Sequence, residues 1–291
     1  MSSISTCDVS GNSERLNLIH VCSVIDKSYA CRWQNAMCLC YRFLMQDNET
    51  VCISWCHHGE VDAFFAHSIM DLIKKYPERV NTFYSVQGTG LLAKSRNIQV
   101  KNFLDNTTDD WLFIVDADEY ISTDAFEKLV NSADKDEYPF VSGLYFTGTV
   151  PEPGKLEPIP LIFVNHGGEL GVQPFYNYPK NSLVEIYAAG TGCMMIHRSV
   201  LEEVRKGYSK HFGPDWAWFQ DGPIGDNKWL SEDLTFCERV QSLKIRMVAH
   251  TGAVVAHHKP VWVVESNYEE WLAQQKKAIG YNKPSNKRKK K

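Results

Sequence analysis

The stretch Trp111-Leu-Phe-Ile-Val-Asp-Ala-Asp118 decides the fold. Its first five residues are apolar and favour β-structure, which predicts a short buried strand over residues 111–115. Asp116 directly follows this predicted strand, and Asp118 lies two positions further along the chain. Buried charge is costly unless it is compensated, so two carboxylates at the end of such a strand favour a site for a divalent cation and phosphate oxygens. A turn or helix-capping role is the structural alternative, because a helix is predicted from about residue 124.

The segments before this strand alternate between strand and helix patterns. Residues 51–56 and 80–86 resemble buried strands, and helical patterns of apolar residues follow them over residues 61–73 and 92–104. This alternation predicts right-handed βαβ units that bind ligands at the carboxyl ends of their strands. We therefore predict an α/β fold with a mostly parallel central sheet flanked by helices.

The second half of the chain has shorter and less regular elements. Strands are predicted over residues 139–146, 159–164, 182–188, 193–197 and 245–249, and helices over residues 199–206 and 231–243. The loop over residues 211–229 is rich in aromatic residues, including Trp216 and Trp218. Aromatic faces stack on sugars or bases, but such a loop can equally cover the core.

Composition and charge exclude several classes of protein. The chain has 291 residues, of which 44% are hydrophobic, and this rules out a disordered tail, a collagen-like fibre and a disulfide mini-scaffold. Six of the 31 basic residues and none of the 35 acidic residues lie in residues 283–291, so residues 1–282 carry 25 basic against 35 acidic side chains, a net charge of −10. An acidic body repels polyanions, so a phosphate-bearing ligand is expected to need a cation.

Cysteine usage predicts a cytoplasmic protein. Seven of the nine cysteines precede residue 57, no CxxC pair occurs, and the first residues are too polar for a secretory signal. No apolar run approaches the ~20 residues that a membrane span requires. Cys52, Cys56, His57 and His58 are close in sequence, but their spacing matches no usual structural zinc site.

Five short motifs together resemble those of the GT-A glycosyltransferases, and most of all the family 2-like enzymes encoded by bacteriophages of actinobacteria. The motifs are Lys94-Ser-Arg96-Asn97, Asp116-Ala-Asp118, Gly190-Thr-Gly192-Cys193, Ser231-Glu232-Asp233-Leu-Thr-Phe-Cys237, and His250-Thr-Gly252 with His257-His258-Lys259. They occur in the family's order between about residues 50 and 262. The resemblance implies a Rossmann-like GT-A fold that binds nucleotide-diphospho-sugars.

We expect four regions along the chain. Residues 1–49 form an N-terminal accessory segment with an amphipathic helix, and residues 50–262 form the GT-A glycosyltransferase domain. A C-terminal helix follows over residues 263–282, and residues 283–291 form a flexible basic tail.

The resemblance implies that the protein moves a sugar from a UDP- or GDP-sugar to a hydroxyl group, with Mn²⁺ or Mg²⁺ as cofactor. Asp118 and His257 would bind the metal, and Asp116 would contact the ribose or support the metal. His258 is adjacent to His257 and remains an alternative ligand. An imidazole is an acceptable partner for Mn²⁺ beside oxygen ligands.

The resemblance also implies residues for the donor and for the chemistry. The donor-binding residues would be His57, Arg96, Asn97, Asp116, Gly190 and Gly192. Asp233 would act as the general base, and Glu232 would contact the acceptor or the donor sugar. The structural alternatives are a surface salt bridge for Arg96, a plain hairpin for the two glycines, and helix capping for Glu232 and Asp233.

The acceptor is expected to be a phage virion protein or a modified base of phage DNA, with Trp216 and Trp218 as contact residues. The basic tail would suit DNA, although such a run is usually only a solvated end. One alternative is a catalytically inactive protein of the same fold that binds nucleotide-sugars or nucleic acid. A nucleotidyltransferase is disfavoured, because residues 55–59 do not form a Gly-rich phosphate loop after the first strand.

Overall fold

A seven-stranded sheet organises the part of the chain that this computed structural model describes. The described residues are 48–273, without 89, 153–154, 169–170, 214, 225–227, 260–263, 266 and 271–272. The strands of the sheet are β1 (Val51–His57), β2 (Val80–Gln87), β3 (Trp111–Val115), β5 (Phe140–Leu144), β10 (Leu183–Glu185), β12 (Cys193–His197) and β15 (Val248–Val254).

Shorter strands form small additional sheets at the margin. They are β4 (Glu119–Tyr120), β6 (Phe146–Glu152), β7 (Lys155–Pro160), β8 (Ile162–Asn165), β9 (Val172–Pro174), β11 (Ala188–Ala189), β13 (Gly222–Ile224), β14 (Lys228–Leu230) and β16 (Ala256–His257). The helices are α1 (Ala63–Lys75), α2 (Leu92–Asn106), α3 (Thr123–Ser132), α4 (Arg198–Phe212) and α5 (Glu232–Ser242).

The order of strands in the main sheet is β10-β15-β5-β12-β3-β1-β2. β1, β2 and β3 pair in parallel, β12 is antiparallel to both β3 and β5, and β5 and β15 pair in parallel. β10 is antiparallel to β15. In this sheet, β12 and β10 therefore run antiparallel to the other five strands. The mostly parallel sheet that the sequence predicted is confirmed.

Strand β3, the apolar run that precedes Asp116, is buried on both faces. Leu112 and Ile114 of β3 pack in the core on the side of α2, α4 and α5, whereas Trp111, Phe113 and Val115 pack on the side of α1 and α3. Side chains alternate across a strand, so an unbroken apolar run is required where helices cover both faces. This three-layer arrangement leaves the end of β3 as the place where polar groups emerge.

Several predicted elements have different bounds in the structure, among them the strands predicted over residues 159–164 and 182–188, which are each divided in two. The strand predicted over residues 139–146 is divided, because Tyr145 lies between β5 and β6 and β6 pairs with β7 in a separate hairpin. Helix α4 continues beyond residue 206 to Phe212, where Gly213 ends it with a positive φ of 76°. The last strand of the sheet begins at Val248 instead of residue 245.

Part of the predicted domain organisation lies outside the described residues. This applies to residues 1–47, which include the predicted amphipathic helix, and to the basic tail over residues 283–291. Residues 265 and 267–270 have helical backbone within the predicted C-terminal helix, and residues 274–282 lie outside the described part. Among the described helices, none has the length and apolar character that would be needed to cross a membrane.

Candidate active site

A cavity of about 850 Å³ opens at the carboxyl ends of β1 and β3. Its walls come from the end of β1, the loop before α1, the start of α2 and the loop after β3. The lining residues are Cys56, His57, His58, Gly59, Glu60, Val61, Asp62, Ala63, Leu92, Arg96, Asp116, Ala117 and Asp118. The position agrees with the rule that open α/β sheets bind ligands at the carboxyl ends of parallel strands.

Arg96 connects the loop after β3 to the start of α5. Its Nη2 donates to Asp116 Oδ1 over 2.9 Å, and its Nε lies 3.5 Å from Glu232 Oε1. The Arg96 side chain is only 3% exposed. A guanidinium that is this deeply buried must be paired, so the surface salt bridge that was the structural alternative for Arg96 does not apply.

The pairing leaves two N–H groups of Arg96 without a hydrogen-bond partner. Nε and Nη1 are buried and lack an acceptor in hydrogen-bonding geometry. Burial lowers the pKa of Arg96, but the carboxylates of Asp116 and Glu232 more than offset this and leave the pKa above its ordinary value. Arg96 is therefore a permanent cation on the cavity wall with donor capacity to spare.

Asp118 meets two basic side chains on one oxygen atom. Its Oδ2 lies 3.2 Å from His257 Nε2 and 3.4 Å from Lys259 Nζ. Burial raises the pKa of Asp118, but the hydrogen bonds and charges of His257 and Lys259 outweigh burial and bring the pKa below its ordinary value. The carboxylate is thus ionised and directed at the segment that follows β15.

The orientation of His257 suits a metal ligand. Its Nδ1 lies 2.9 Å from the carbonyl oxygen of Phe146. A carbonyl only accepts, so Nδ1 carries a proton and Nε2 is the atom directed at the Asp118 carboxylate. Nε2 and the carboxylate need either a proton or a cation between them, and a histidine whose Nδ1–H donates to a backbone carbonyl is the usual arrangement of a metal-ligating histidine.

The structure brings His257 to Asp118 and directs the neighbouring His258 elsewhere. His258 Nδ1 lies 2.6 Å from Asp62 Oδ2, although its backbone N–H donates to the carbonyl oxygen of Asp118 over 2.8 Å. The side chain of His258 therefore holds the loop before α1. Of the two histidines left open by the sequence, His257 has the geometry of a ligand to a shared cation.

No ready-made metal cage is present in the described part of the chain. No group of three or more His, Cys, Asp or Glu side chains converges there in a way that could hold an ion. Mg²⁺ and Mn²⁺ sites at phosphates need fewer protein ligands, since one or two side chains, substrate phosphates and water complete the coordination. The Asp118 and His257 pair fits a cation of this kind.

Glu119 is a site residue that the sequence analysis missed. Its side chain is fully buried directly behind Asp116 and Asp118, and neither carboxylate oxygen has a hydrogen-bond partner. Burial, followed by the negative charges of Asp116 and Asp118, raises its pKa well above the ordinary value. The acidic run from Asp116 to Glu119 was the available signal, although Glu119 is not among the residues that line the cavity.

The two glycines of the Gly190 turn are required by packing. A Cβ at Gly190 would clash with Tyr145 Oη, and one at Gly192 would clash with Glu119 Oε1 and the Tyr145 ring. The backbone N–H of Gly192 also donates to Tyr145 Oη over 2.9 Å. Both glycines are buried, so their close contacts in this structure are with Tyr145 and Glu119 instead of a cavity ligand.

The structure revises the expectation for Asn97. Its Nδ2 donates to the carbonyl oxygens of Ala93 and Phe219, and its Oδ1 accepts from the N–H groups of Trp218 and Phe219. These four bonds use the whole hydrogen-bonding capacity of the amide. Asn97 is buried and does not line the cavity, so its evident role is to hold residues 218–219 against α2.

The aromatic loop divides into a buried and an exposed part. Trp218 is fully buried, and its Nε1 donates to the carbonyl oxygen of Leu201 over 2.8 Å. It therefore has the core-covering role that was the alternative to acceptor contact. Trp216 is 39% exposed and Trp229 of β14 is 69% exposed, so these two rings are available to a ligand.

Glu232 and Asp233 open helix α5 in two different environments. One oxygen of Asp233 accepts from Ser231 Oγ and from the N–H of Leu234, so its sequence neighbours hold the side chain. Glu232 is only 8% exposed and faces Arg96. Burial, followed by the charge of Asp233, raises the pKa of Glu232 above its ordinary value.

The remaining donor-side residue, His57, ends β1 and lines the cavity. Its Nδ1 accepts from the N–H of Gly59 over 3.0 Å, so this bond fixes the ring while Nε2 carries the proton of the neutral form. The neighbouring Cys56 thiol lies 3.0 Å from Gln99 Oε1, and burial raises its pKa to about 12. Neither contact has the form of a zinc site.

Sheet order and the acidic loop after β3 define the GT-A fold of nucleotide-diphospho-sugar transferases. Residues 67–205 match the model of glycosyl transferase family 2, a segment that contains Arg96, Asp116, Asp118 and the Gly190 turn. This match supports a glycosyltransferase activity and places the family 2 domain over residues 67–205. No curated protein sequence gives a significant match.

Three solved structures show related folds. A197 from STIV has 18% identity and a TM-score of 0.44 over 69% of this chain and 81% of its own. GalNAc-T7 with UDP, GalNAc and Mn²⁺ has 15% identity and a TM-score of 0.46 over 74% of this chain and 45% of its own. A glycosyltransferase involved in glycosylation of the major capsid of PBCV-1 has 14% identity and a TM-score of 0.38 over 77% of this chain and 99% of its own. Likenesses of this strength do not identify a substrate.

Proposed function

We propose that the protein transfers a sugar from a UDP- or GDP-sugar to a hydroxyl acceptor, with Mn²⁺ or Mg²⁺ held by Asp118 and His257. The observation that carries this proposal is the pairing of these two side chains on one edge of a cavity whose wall contains Arg96. His257 is fixed through the carbonyl of Phe146 with Nε2 toward Asp118 Oδ2. A carboxylate and an oriented imidazole at the end of a parallel strand are suitable ligands for a cation shared with a diphosphate.

The donor is assigned to the cavity between β1 and β3. His57 at the end of β1 would contact the base, and Asp116 would contact the ribose or support the metal. Arg96 fixes Asp116 and has unpartnered N–H groups on the same wall. Gly190 and Gly192 would contribute only through their turn, which brings the backbone close to the site.

A bound divalent cation would neutralise the negative charge that develops on the diphosphate leaving group. The protein's own residues supply orientation and the proton acceptor. Asp233 would remove the proton from the acceptor hydroxyl through its second oxygen, since the bonds to Ser231 and Leu234 both use Oδ1. Glu232 would keep Arg96 in place and contact the acceptor or the donor sugar. A carboxylate base contributes about 10²–10⁴-fold to such a reaction.

The acceptor is proposed to be a virion protein or a modified DNA base of a phage that encodes this enzyme, and the reaction would then occur in the host cytoplasm. Trp216 is the exposed member of the two predicted acceptor contacts, and Trp229 offers a second exposed ring. The alternative, a protein of this fold that binds a nucleotide-sugar without turnover, predicts the same donor pocket but no release of nucleoside diphosphate.

The proposed function is tested by measuring UDP and GDP release from a panel of UDP- and GDP-sugars with Mn²⁺, with Mg²⁺ and with EDTA. We expect metal-dependent release by the natural chain and a loss of about 10²–10³-fold in Asp118→Asn, which keeps the shape of the side chain but removes its charge. Asp124→Asn is the matched control, because Asp124 is an exposed partner of Lys128 on α3.

Three outcomes separate the possibilities. Equal activity of Asp118→Asn and Asp124→Asn would remove Asp118 from the mechanism. Release that is unaffected by EDTA would contradict the metal. Binding of a nucleotide-sugar by calorimetry with no release, even in the presence of acceptor candidates, would favour the inactive binding protein.

A further inference from the structure

Lys259 places an ammonium group on the carboxylate that the proposed function assigns to a divalent cation. Its Nζ lies 3.4 Å from Asp118 Oδ2, the same oxygen atom that His257 Nε2 approaches to 3.2 Å. Lys259 follows β16, and its side chain is 36% exposed. It was part of a sequence motif, but neither the motif nor the proposed mechanism so far gives it a role.

Lys259 and a divalent cation cannot both occupy this position. They would be like charges a few ångströms apart on one oxygen atom, and such charges repel strongly in a partly buried site. A cation that binds Oδ2 therefore displaces the Lys259 ammonium from that oxygen atom. A flexible four-carbon stem that is one-third exposed allows the ammonium to move while the backbone stays in place.

Three other basic groups near this edge of the cavity are held in place by neighbouring residues. Arg96 is buried between Asp116 and Glu232, and the His258 ring is paired with Asp62. His257 is held by the carbonyl of Phe146 and faces Asp118. A donor diphosphate brings negative charge to a protein whose first 282 residues already carry a net charge of −10. Lys259 is positively charged and its side chain can move, so it can bind the diphosphate.

We propose that Lys259 is a diphosphate-binding residue that alternates between two partners. It neutralises Asp118 while the site is empty, and it binds the diphosphate oxygens of the donor once the cation has taken its place. An ammonium with three donors is well suited to phosphate oxygens, because it needs no fixed planar geometry. This inference rests on the proposed function, since it requires a diphosphate at the Asp118 edge.

This exchange of partners predicts that Lys259→Met changes the affinity for Mn²⁺ and the affinity for nucleotide in opposite directions. In Lys259→Met the competitor for Asp118 is removed, so Mn²⁺ alone should bind about tenfold more tightly. UDP and GDP, each titrated in the presence of Mn²⁺, should bind about tenfold more weakly because a charge-assisted hydrogen bond is lost. Lys259→Arg keeps the charge and should remain close to the natural chain in both titrations. Isothermal titration calorimetry measures these affinities without turnover.

The possible results are distinguishable from failure of the proposed function. Unchanged affinities for both Mn²⁺ and nucleotide in Lys259→Met would overturn the proposal, and so would tighter Mn²⁺ binding with unchanged nucleotide binding, since Lys259 would then only neutralise Asp118. Equal loss of both affinities together with a lower melting temperature would also overturn it, by showing a structural role. If no form of the protein binds Mn²⁺ but Lys259→Met still binds nucleotide more weakly than Lys259→Arg, the diphosphate contact stands and the metal part of the proposed function fails.

Discussion

Among single residues, the buried ionisable groups of the site differ in how many partners they have. Arg96 has two carboxylate partners, whereas Glu119 is fully buried with no hydrogen-bond partner. A carboxyl group in that environment avoids the cost of a buried charge by retaining its proton. The folded protein therefore binds a proton at Glu119 over a pH range in which the unfolded chain has already released it.

This difference predicts a pH-dependent effect of Glu119→Gln. Folding raises the pKa of Glu119 above 4.5, its value in the unfolded chain. The contribution of the protonated side chain to the free energy of unfolding is therefore fully present below pH 4.5 and is lost as pH rises toward the folded pKa. Relative to Glu119→Gln, the natural chain should lose about 1.4 kcal/mol of unfolding free energy per pH unit across that interval. Urea denaturation from pH 4.5 to 8 in metal-free buffer measures the difference.

Glu202→Gln provides the comparison, because Glu202 is an exposed residue of α4 and is not part of the site. Its unfolding free energy should follow that of the natural chain at every pH. If the Glu119→Gln curve also runs parallel to the natural one, Glu119 is not protonated in the folded state and the assignment of its pKa shift is incorrect.

At the scale of elements, Asn97 joins α2 to the loop that precedes α5. Three of the four hydrogen bonds of its amide hold the backbone of residues 218–219, and the Trp218 ring completes the core beneath them. Arg239 of α5 donates to the carbonyl oxygens of Ala217 and Trp218 from the other side. This part of the loop is therefore fixed between two helices by polar contacts, with Trp218 and Phe219 buried.

We expect Asn97→Ala to act on stability much more than on donor binding. The substitution leaves buried backbone groups of Trp218 and Phe219 without partners, which should cost about 2–4 kcal/mol of unfolding free energy. The KM for the nucleotide-sugar should change less than twofold at a temperature where the variant remains folded. Chemical denaturation and donor hydrolysis measure the two effects.

Asn106→Ala is the control for this experiment, because Asn106 is exposed at the last position of α2. It should change neither quantity. A large rise in KM for Asn97→Ala with little change in stability would restore the original expectation that Asn97 binds the donor.

At the scale of the whole molecule, the distribution of charge separates the catalytic body from the tail. Residues 1–282 carry a net charge of −10, whereas residues 283–291 contain six basic residues and no acidic ones. A polyanionic acceptor would be repelled by the body and attracted by the tail, and both effects weaken as salt screens the charges. The described residues that line the cavity lie between residues 56 and 118.

Deletion of residues 283–291 should therefore leave donor hydrolysis unchanged. Transfer of radiolabelled sugar to modified phage DNA, if DNA is the acceptor, should fall in the truncated protein, and the loss should be greatest at low salt. A variant with the tail lysines and arginine replaced by glutamine should behave like the truncation. Equal transfer to DNA by the full and truncated chains across a salt series would show that the tail does not recruit the acceptor.

The order of elements and the location of the site were predictable because local patterns carry that information. An apolar run that ends in Asp116 and Asp118 predicts a buried strand with a polar end, and the helix and strand patterns around it predict the parallel part of the sheet. The bounds of β3 and β12 agree with the prediction to the residue. The division at Tyr145 was not predictable, since it depends on the pairing of β6 with β7.

The partners of the site residues were decided only by the tertiary structure. Asp118 and His257 are 139 residues apart in the chain, and packing of the segment after β15 against β4 brings them together. The same packing leaves Lys259 on Asp118 and pairs Glu119 with His257. Contacts with Asn97 and Leu201, which are also distant in the chain, hold Trp218 in the core. The sequence determines which chemical groups are present and which strand ends carry them, because periodicity and burial are local properties. Which groups face one another follows from long-range packing, and residue spacing along the chain does not contain that information.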